Sequence, residues 1–111
     1  MDAYYDVFFV DDASTNYILT VSGFTGNCGD SLVEHNGHMF STRDRDNDNW
    51  STGHCAGYNR GGFWYFACQY AHPTGIYYAE ADPSNFDGLR WVSCYGDSSA
   101  RVYILKFKRD M

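Results

Sequence analysis

The sequence predicts an α+β domain in which a small antiparallel sheet is joined to a loop-rich part stapled by disulfides. Its 111 residues are the length of one domain. An aromatic fraction of 19%, with ten tyrosines, favours strands and contact surfaces over long helices. Four cysteines in so short a chain, with no C-x-x-C pair, favour disulfides over zinc ligands. A zinc site made of scattered cysteines and histidines is the weaker alternative.

The first predicted element is a β-hairpin. Residues 4–10 are aromatic and β-branched, and residues 17–21 alternate with the period of two that is typical of a half-buried strand. Residues 11–14 form a turn cluster between them. Ser22 and Gly23 are expected to end the second strand. The two strands are therefore predicted to pair in antiparallel fashion.

The middle of the chain is predicted to be mostly loop. Asp30 or Ser31 is placed to cap a short helical turn over residues 32–34. Residues 40–62 show almost no periodicity and are rich in Asp, Asn, Gly and Ser. Loops of this length inside compact domains are usually functional. The apolar residues 63–68 that follow are too few for a stable helix.

The last third of the chain is predicted to contain three more strands. Residues 76–78 and 89–92 are short aromatic and aliphatic segments bounded by turn residues. Residues 102–108 alternate again between the two faces of a strand and close the fold.

Charge and hydropathy exclude two classes of partner. The formal net charge is -6, which argues against a nucleic-acid surface because such a surface needs a basic patch. No apolar run is long enough to span a membrane, so no membrane partner is expected. The N-terminus is acidic and rich in tyrosine, so no signal peptide is expected there.

Three alternating aspartates, Asp44, Asp46 and Asp48, lie in the long loop. Oxygen ligands two residues apart on a curved loop can surround Ca²⁺. An EF-hand is a poor match, because counting from Asp44 places Asn49 at the glycine position and Cys55 at the final glutamate position. The alternative is a solvated acidic turn, and spacing alone does not separate it from a calcium site.

Ten segments of the chain together form a recognisable pattern: residues 16–27, 29–32, 35–37, 40–42, 44–48, 55–56, 62–65 with Cys68, 74–77, 87–91 and 103–107. The combined pattern resembles the C-terminal half of a fibrinogen-like domain, the family of fibrinogen C-terminal globes, ficolins and tachylectins. A full domain of that family is about twice as long. The resemblance implies a single truncated domain over residues 1–111, with a sheet part at about 1–35 and 100–111 and a calcium and ligand loop part at about 36–99. An incomplete sheet leaves strand edges unpaired, which invites a partner chain or a second copy of this chain.

The resemblance implies a Ca²⁺ site in the long loop. In the family, two aspartates two positions apart and carbonyl groups just downstream hold the ion. The corresponding side chains here are Asp46 and Asp48, with backbone carbonyls from Trp50, Ser51 and Thr52.

The resemblance also implies a disulfide between Cys55 and Cys68, preceded by a cis bond between Ala67 and Cys68. Cys28 and Cys94 lie where relatives usually lack cysteine. With an even cysteine count, these two are expected to form a second disulfide, and bridging between chains is the alternative.

Lectin members of the family bind acetyl groups beside the calcium loop, in a pocket of tyrosines and one histidine. The histidine position is Gln69 here, and one tyrosine position is Asn59, next to Tyr58. A second tyrosine position falls at Asn85 or Phe86. The resemblance therefore implies a ligand site formed by Tyr58, Asn59, Cys68, Gln69, Tyr70, Asn85 and Phe86.

The resemblance implies a secreted, extracellular, calcium-dependent recognition module that binds glycans or acetylated groups. The alternative is a structural or adhesive protein that keeps the fold and assembles with other chains. An enzyme is not expected, because no Ser/His/Asp order or paired-acid arrangement stands out. The segment from His35 to His38 is interpreted as a surface turn in preference to a metal site.

Overall fold

The computed structural model describes residues 2–78, 87–96, 100 and 103–107. Two small antiparallel sheets of two strands each and a few short helices make up its regular structure, which confirms the predicted α+β class. The elements are β1 (Ala3–Val10), β2 (Leu19–Gly26), α1 (Cys55–Asn59), β3 (Ala71–His72), β4 (Arg90–Trp91) and α2 (Val92–Tyr95), with 3₁₀ helices at Ala13–Thr15 and Val33–His35.

The predicted hairpin is confirmed, with β1 and β2 in antiparallel register from Ala3 opposite Gly26 to Val10 opposite Leu19. Its second strand begins two residues later than predicted because Tyr17 has a φ of 61°, in the left-handed region that strands do not use. It also continues through Gly23 instead of ending there.

Gly23 continues the strand because it has no side chain. Its φ is +69°, and a Cβ atom at this position would lie 2.6 Å from the side chain of Asp6. Glycine inside a strand often marks such a close approach. The prediction treated the same glycine as a strand end.

A loop covers the outer edge of β2. The amide of Gly37 donates to the carbonyl of Leu19 at 2.8 Å, the amide of Leu19 donates to the carbonyl of His38 at 3.1 Å, and the amide of Val21 donates to Asn36 Oδ1 at 2.8 Å. Leu19 and Val21 are buried beneath it. Among the described residues no strand pairs with the outer edge of β1.

The core lies in the middle of the chain. Cys55, Ala56, Phe63 and Tyr65 form a buried cluster, and Leu32, Trp50, Trp64 and Cys68 pack around it. The helix α1 was not predicted, since residues 40–62 were interpreted as loop. Five residues are too few to show a helical period, and burial of Cys55, Ala56 and Asn59 holds the helix instead.

The short helical turn near residue 32 is confirmed one residue further along, as the 3₁₀ helix Val33–His35. Asp30 Oδ1 accepts the amide hydrogen of Leu32 at 3.0 Å just before it. The interpretation of His35 as part of a surface turn is wrong, because its side chain is fully buried.

Two of the later strand predictions are wrong where the structure describes them. Ile76 forms only a parallel bridge to Gly88, and residues 103–107 form no strand. The predicted strand over residues 89–92 is confirmed only at Arg90–Trp91, and β3 was not predicted. A strand needs a neighbour for its backbone groups, and no described strand pairs with residues 103–107. Phe107 instead rests its ring on Phe8, with centroids 5.3 Å apart.

Two disulfides join the four cysteines. Cys28 pairs with Cys94 across 66 positions, and Cys55 pairs with Cys68 across 13 positions. All four cysteines therefore form disulfides within the chain, as predicted, and not the alternative zinc site or a bridge between chains. The division into a sheet part and a loop part remains a prediction.

Candidate functional site

Asp48 organises the aspartate-rich loop. Its Oδ1 atom accepts the amide hydrogen of Trp50 at 2.9 Å, and its Oδ2 atom accepts the amide hydrogen of Cys55 at 2.8 Å. The carboxylate thus ties both ends of the intervening turn to one point. Asp46 Oδ1 accepts the amide hydrogen of Asp48 at 3.3 Å, whereas Asp44 turns away to accept the hydroxyl of Thr42 at 2.6 Å.

His54 joins the two aspartates in one cluster. One ligand atom from each of Asp46, Asp48 and His54 can be chosen so that all three lie within 4.8 Å of one another. The Nδ1 atom of His54 is 3.9 Å from Asp46 Oδ1. Sequence reasoning missed His54, because the histidine is six positions beyond Asp48 and no spacing rule connects them.

The electrostatics of the cluster favour an added positive charge. Burial raises the pKa of Asp48, and the neighbouring carboxylate of Asp46 adds to the increase, against the two amide donors that lower it. A cation placed between the carboxylates would relieve both unfavourable contributions.

The three backbone carbonyl groups that were predicted as metal ligands lie on the turn that Asp48 closes. The Trp50 carbonyl accepts the amide hydrogen of Gly53 at 3.2 Å, which leaves its second lone pair for another partner. Ser51 and Thr52 are exposed. Their role as metal ligands remains a prediction.

A surface cavity of about 310 Å³ lies beside this loop. It brings together four of the predicted ligand residues: Tyr58, Asn59, Cys68 and Gln69. Tyr70 is not among the cavity residues; its side chain is exposed and its ring packs on Phe66 with centroids 5.1 Å apart. Asn85 and Phe86 lie outside the described residues. The remaining lining residues are Trp50, Ala67 and Arg90.

Aromatic and amide groups shape the cavity wall. The rings of Trp50 and Tyr58 meet edge to face, with centroids 5.9 Å apart. Asn59 donates to the carbonyl of Cys55 at 2.9 Å and accepts from Gln69 Nε2 at 3.2 Å. The peptide bond between Ala67 and Cys68 is cis.

Arg90 was not predicted as a site residue. It belongs to β4, is buried, and lines the cavity. A guanidinium group is always protonated in proteins and offers a planar set of donors to carboxylates and phosphates. Among the described residues, the cavity lining therefore combines an apolar aromatic wall with the buried arginine Arg90.

The buried His35 positions the segment that follows Cys68. Its Nδ1 atom donates to the carbonyl of Trp64 at 2.7 Å, and its Nε2 atom accepts the amide hydrogens of Tyr70 at 3.0 Å and Ala71 at 3.1 Å. Burial lowers the pKa of His35 to about 4, so the ring is neutral at pH 7. A neutral ring with its proton on Nδ1 satisfies all three contacts.

Comparisons with known proteins agree on one family. Residues 1–109 match the family described as fibrinogen beta and gamma chains, C-terminal globular domain. Human Fibrinogen C domain-containing protein 1 is 41% identical over 101 residues, which cover 91% of this chain and 21% of that protein. Techylectin-5A of Tachypleus tridentatus is 37% identical over 94 residues, which cover 85% of this chain and 32% of that protein.

A solved structure gives the same result for the fold. The fibrinogen-like globe domain of human ANGPTL6 superimposes with a TM-score of 0.81 at 39% identity, covering 89% of this chain and 46% of that one. The chain thus spans less than half of the length of these relatives. None of the described helices is long and apolar enough to cross a membrane.

Proposed function

Because this protein belongs to the family of the C-terminal globular domain of fibrinogen beta and gamma chains, we propose that it is an extracellular recognition module. In this proposal a Ca²⁺ ion organises the loop around Asp46 and Asp48, and the adjoining cavity binds a glycan. One relative is named as a lectin, Techylectin-5A. Two disulfides favour an oxidising, extracellular compartment.

The donor set of the loop fits a calcium ion. Carboxylates and backbone carbonyls are the ligands that Ca²⁺ prefers, and Asp46 and Asp48 supply two carboxylates at one place. Carbonyl groups from Trp50, Ser51 and Thr52 would complete the coordination. The raised pKa of Asp48 is consistent with this role, because the bound ion would favour the ionised carboxylate.

The observation that carries the proposal is the position of Trp50. The backbone amide of Trp50 donates a hydrogen bond to Asp48 Oδ1, and Trp50 is also one of the residues that line the cavity. An ion that orders the loop would therefore order one wall of the cavity. Fixing a wall before the ligand arrives lowers the entropic cost of binding.

Calcium is expected to raise the thermal stability of the protein, because an ion that binds only the folded state adds about 2.7 kcal/mol at a hundredfold excess over its dissociation constant. The double variant Asp46→Ala/Asp48→Ala should show no response to calcium. Asp44→Ala is the matched control, since this aspartate lies in the same loop but bonds to Thr42. Differential scanning calorimetry with calcium and with a chelator measures the difference, and equal responses in wild type and double variant would reject the ion site.

N-acetylglucosamine is expected to bind no better than glucose, since asparagine and glutamine replace the aromatic and imidazole wall of the lectin members at Asn59 and Gln69. Titration calorimetry compares the two sugars. A clear preference of the monomer for N-acetylglucosamine over glucose would show that the acetyl pocket is intact.

A second function, adhesion by self-assembly, is favoured by the exposed hairpin. Tyr4 and Phe9 of β1 are 64% and 56% exposed, and no described strand pairs with the outer edge of this strand. Unpaired edges of this kind promote association with another strand. A molecular mass that rises with protein concentration in light scattering would support adhesion, and a constant monomer mass would exclude it.

A further inference from the structure

The imidazole of His54 is held in one orientation beside the aspartate pair. Its Nε2 atom lies 2.7 Å from the carbonyl oxygen of Arg43. A carbonyl can only accept, so Nε2 carries a proton, and in the singly protonated ring Nδ1 presents a lone pair. This Nδ1 atom is buried and has no hydrogen-bond partner.

The Nδ1 atom of His54 faces the carboxylate of Asp46. Asp46 Oδ1 is 3.9 Å away, which is too far for a hydrogen bond. The two atoms are spaced as ligands of a shared ion, since ligands that lie about 2.0–2.4 Å from one cation are about 3–4 Å apart. Asp48 contributes the third ligand atom of the same cluster.

An imidazole nitrogen changes the range of ions that the cluster can accept. Ca²⁺ and Mg²⁺ take oxygen ligands, whereas imidazole suits zinc and the neighbouring transition metals. The bond from Nε2 to a backbone carbonyl is the outer-shell contact that usually orients a histidine ligand. We propose that Asp46, Asp48 and the Nδ1 atom of His54 bind a divalent transition-metal ion, which competes with Ca²⁺ for the two carboxylates. The inference rests on the proposed cation loop and extends it to a second class of ion.

Titration calorimetry with Zn²⁺ and separately with Ca²⁺, on the whole protein after chelation, tests the proposal. His54→Gln removes the nitrogen ligand and keeps an amide donor for the Arg43 carbonyl. We expect the dissociation constant for Zn²⁺ to rise at least tenfold in this variant, because loss of even an outer-shell partner of a metal ligand costs about 10–100-fold in affinity. The constant for Ca²⁺ should change by less than about threefold, because the oxygen ligands of that ion remain. His38→Gln, a half-buried histidine outside the cluster, is the matched control and should leave both constants unchanged.

A second measurement identifies the ligand atom. Long-range ¹H–¹⁵N correlation spectra of the imidazole rings should show Zn²⁺ shifting Nδ1 of His54. Binding of Ca²⁺ without binding of Zn²⁺, or Zn²⁺ binding that His54→Gln does not weaken, would overturn this inference and leave the calcium proposal intact. Failure of both ions to bind would overturn the cation loop itself. Addition of Ca²⁺ should displace Zn²⁺ from the wild type, and simultaneous binding of both ions would contradict a shared site.

Discussion

Replacing both Cys28 and Cys94 by serine is expected to lower the free energy of unfolding by about 4 kcal/mol, which is the chain-entropy value for a closed loop of 66 positions. For a protein of this length the loss corresponds to a fall in melting temperature of about 15 °C or more. Urea unfolding at about 10 °C, close to the usual temperature of maximum stability, measures the change while the variant is still folded. The Cys55–Cys68 bond closes only 13 positions and should contribute less, about 3 kcal/mol.

Ser93→Ala is the control for this experiment. The Ser93 hydroxyl bonds to Ser31 Oγ at 2.7 Å next to the disulfide, and a nearby bond runs from Trp91 Nε1 to the carbonyl of Gly29 at 3.1 Å. Loss of the one hydroxyl should cost about 1 kcal/mol. A cysteine variant that loses no more than Ser93→Ala would mean that the disulfide does not constrain the unfolded state.

Acid is expected to lower the free energy of unfolding over the range in which His35 takes up a proton. The pKa of His35 falls from 6.5 in the unfolded state to about 4 in the folded one. A lowered pKa in a basic group means that the unfolded state binds the proton more readily. The stabilisation is therefore complete above about pH 6.5 and is lost as the pH falls towards 4, by about 3 kcal/mol in total. The cause is burial, and protonated Nε2 would also face the two amide donors of Tyr70 and Ala71.

His35→Gln should abolish most of this pH dependence, because glutamine does not titrate in this range. The variant should be less stable than wild type at about pH 7.5 by about 2–3 kcal/mol, because it disturbs three buried hydrogen bonds, and should approach wild type near pH ~4.5. Urea unfolding at both pH values measures the two differences. Burial also lowers the pKa of His72, so a small slope should remain. His38→Gln, three residues away, should keep most of the wild-type slope, because burial is the main cause of the lowered pKa of His35 and His38 contributes less. An unchanged slope in His35→Gln would contradict the assignment.

The hairpin and the loop were predictable because their signals are local. The alternation over residues 17–21 and the aromatic run at residues 4–10 each predict a strand from neighbouring residues alone. The start of β2 was predicted two residues too early, because the hydrophobic pattern does not reveal the positive φ of Tyr17. Residues 103–107 alternate like a strand but form none, since pairing depends on a neighbour that a local pattern does not contain.

The candidate site was only half predictable for the same reason. Asp46 and Asp48 are close in sequence, so their spacing shows them as a pair. His54 and Arg90 reach the site only through folding. The backbone carbonyl of Arg43 orients the imidazole of His54, and the pairing of β4 with β3 positions Arg90. His35 looked like part of a surface turn because an adjacent Asn-Gly pair dominates the local signal. Its contacts with the carbonyl of Trp64 and with the amides of Tyr70 and Ala71, 35 and 36 positions away, show why it is buried.

The shared position of Trp50, bonded to the aspartate loop and lining the cavity, has a thermodynamic consequence for the proposed activity. Coupling between two binding sites is reciprocal, so the factor by which a cation tightens the ligand is also the factor by which the ligand tightens the cation. A domain of this kind would retain its ion when a glycan is bound and give it up more readily when the glycan leaves. In a calcium-poor compartment, loss of the ion would lower the affinity for the ligand by the same factor. The module would then release its bound glycan without any change in the glycan itself.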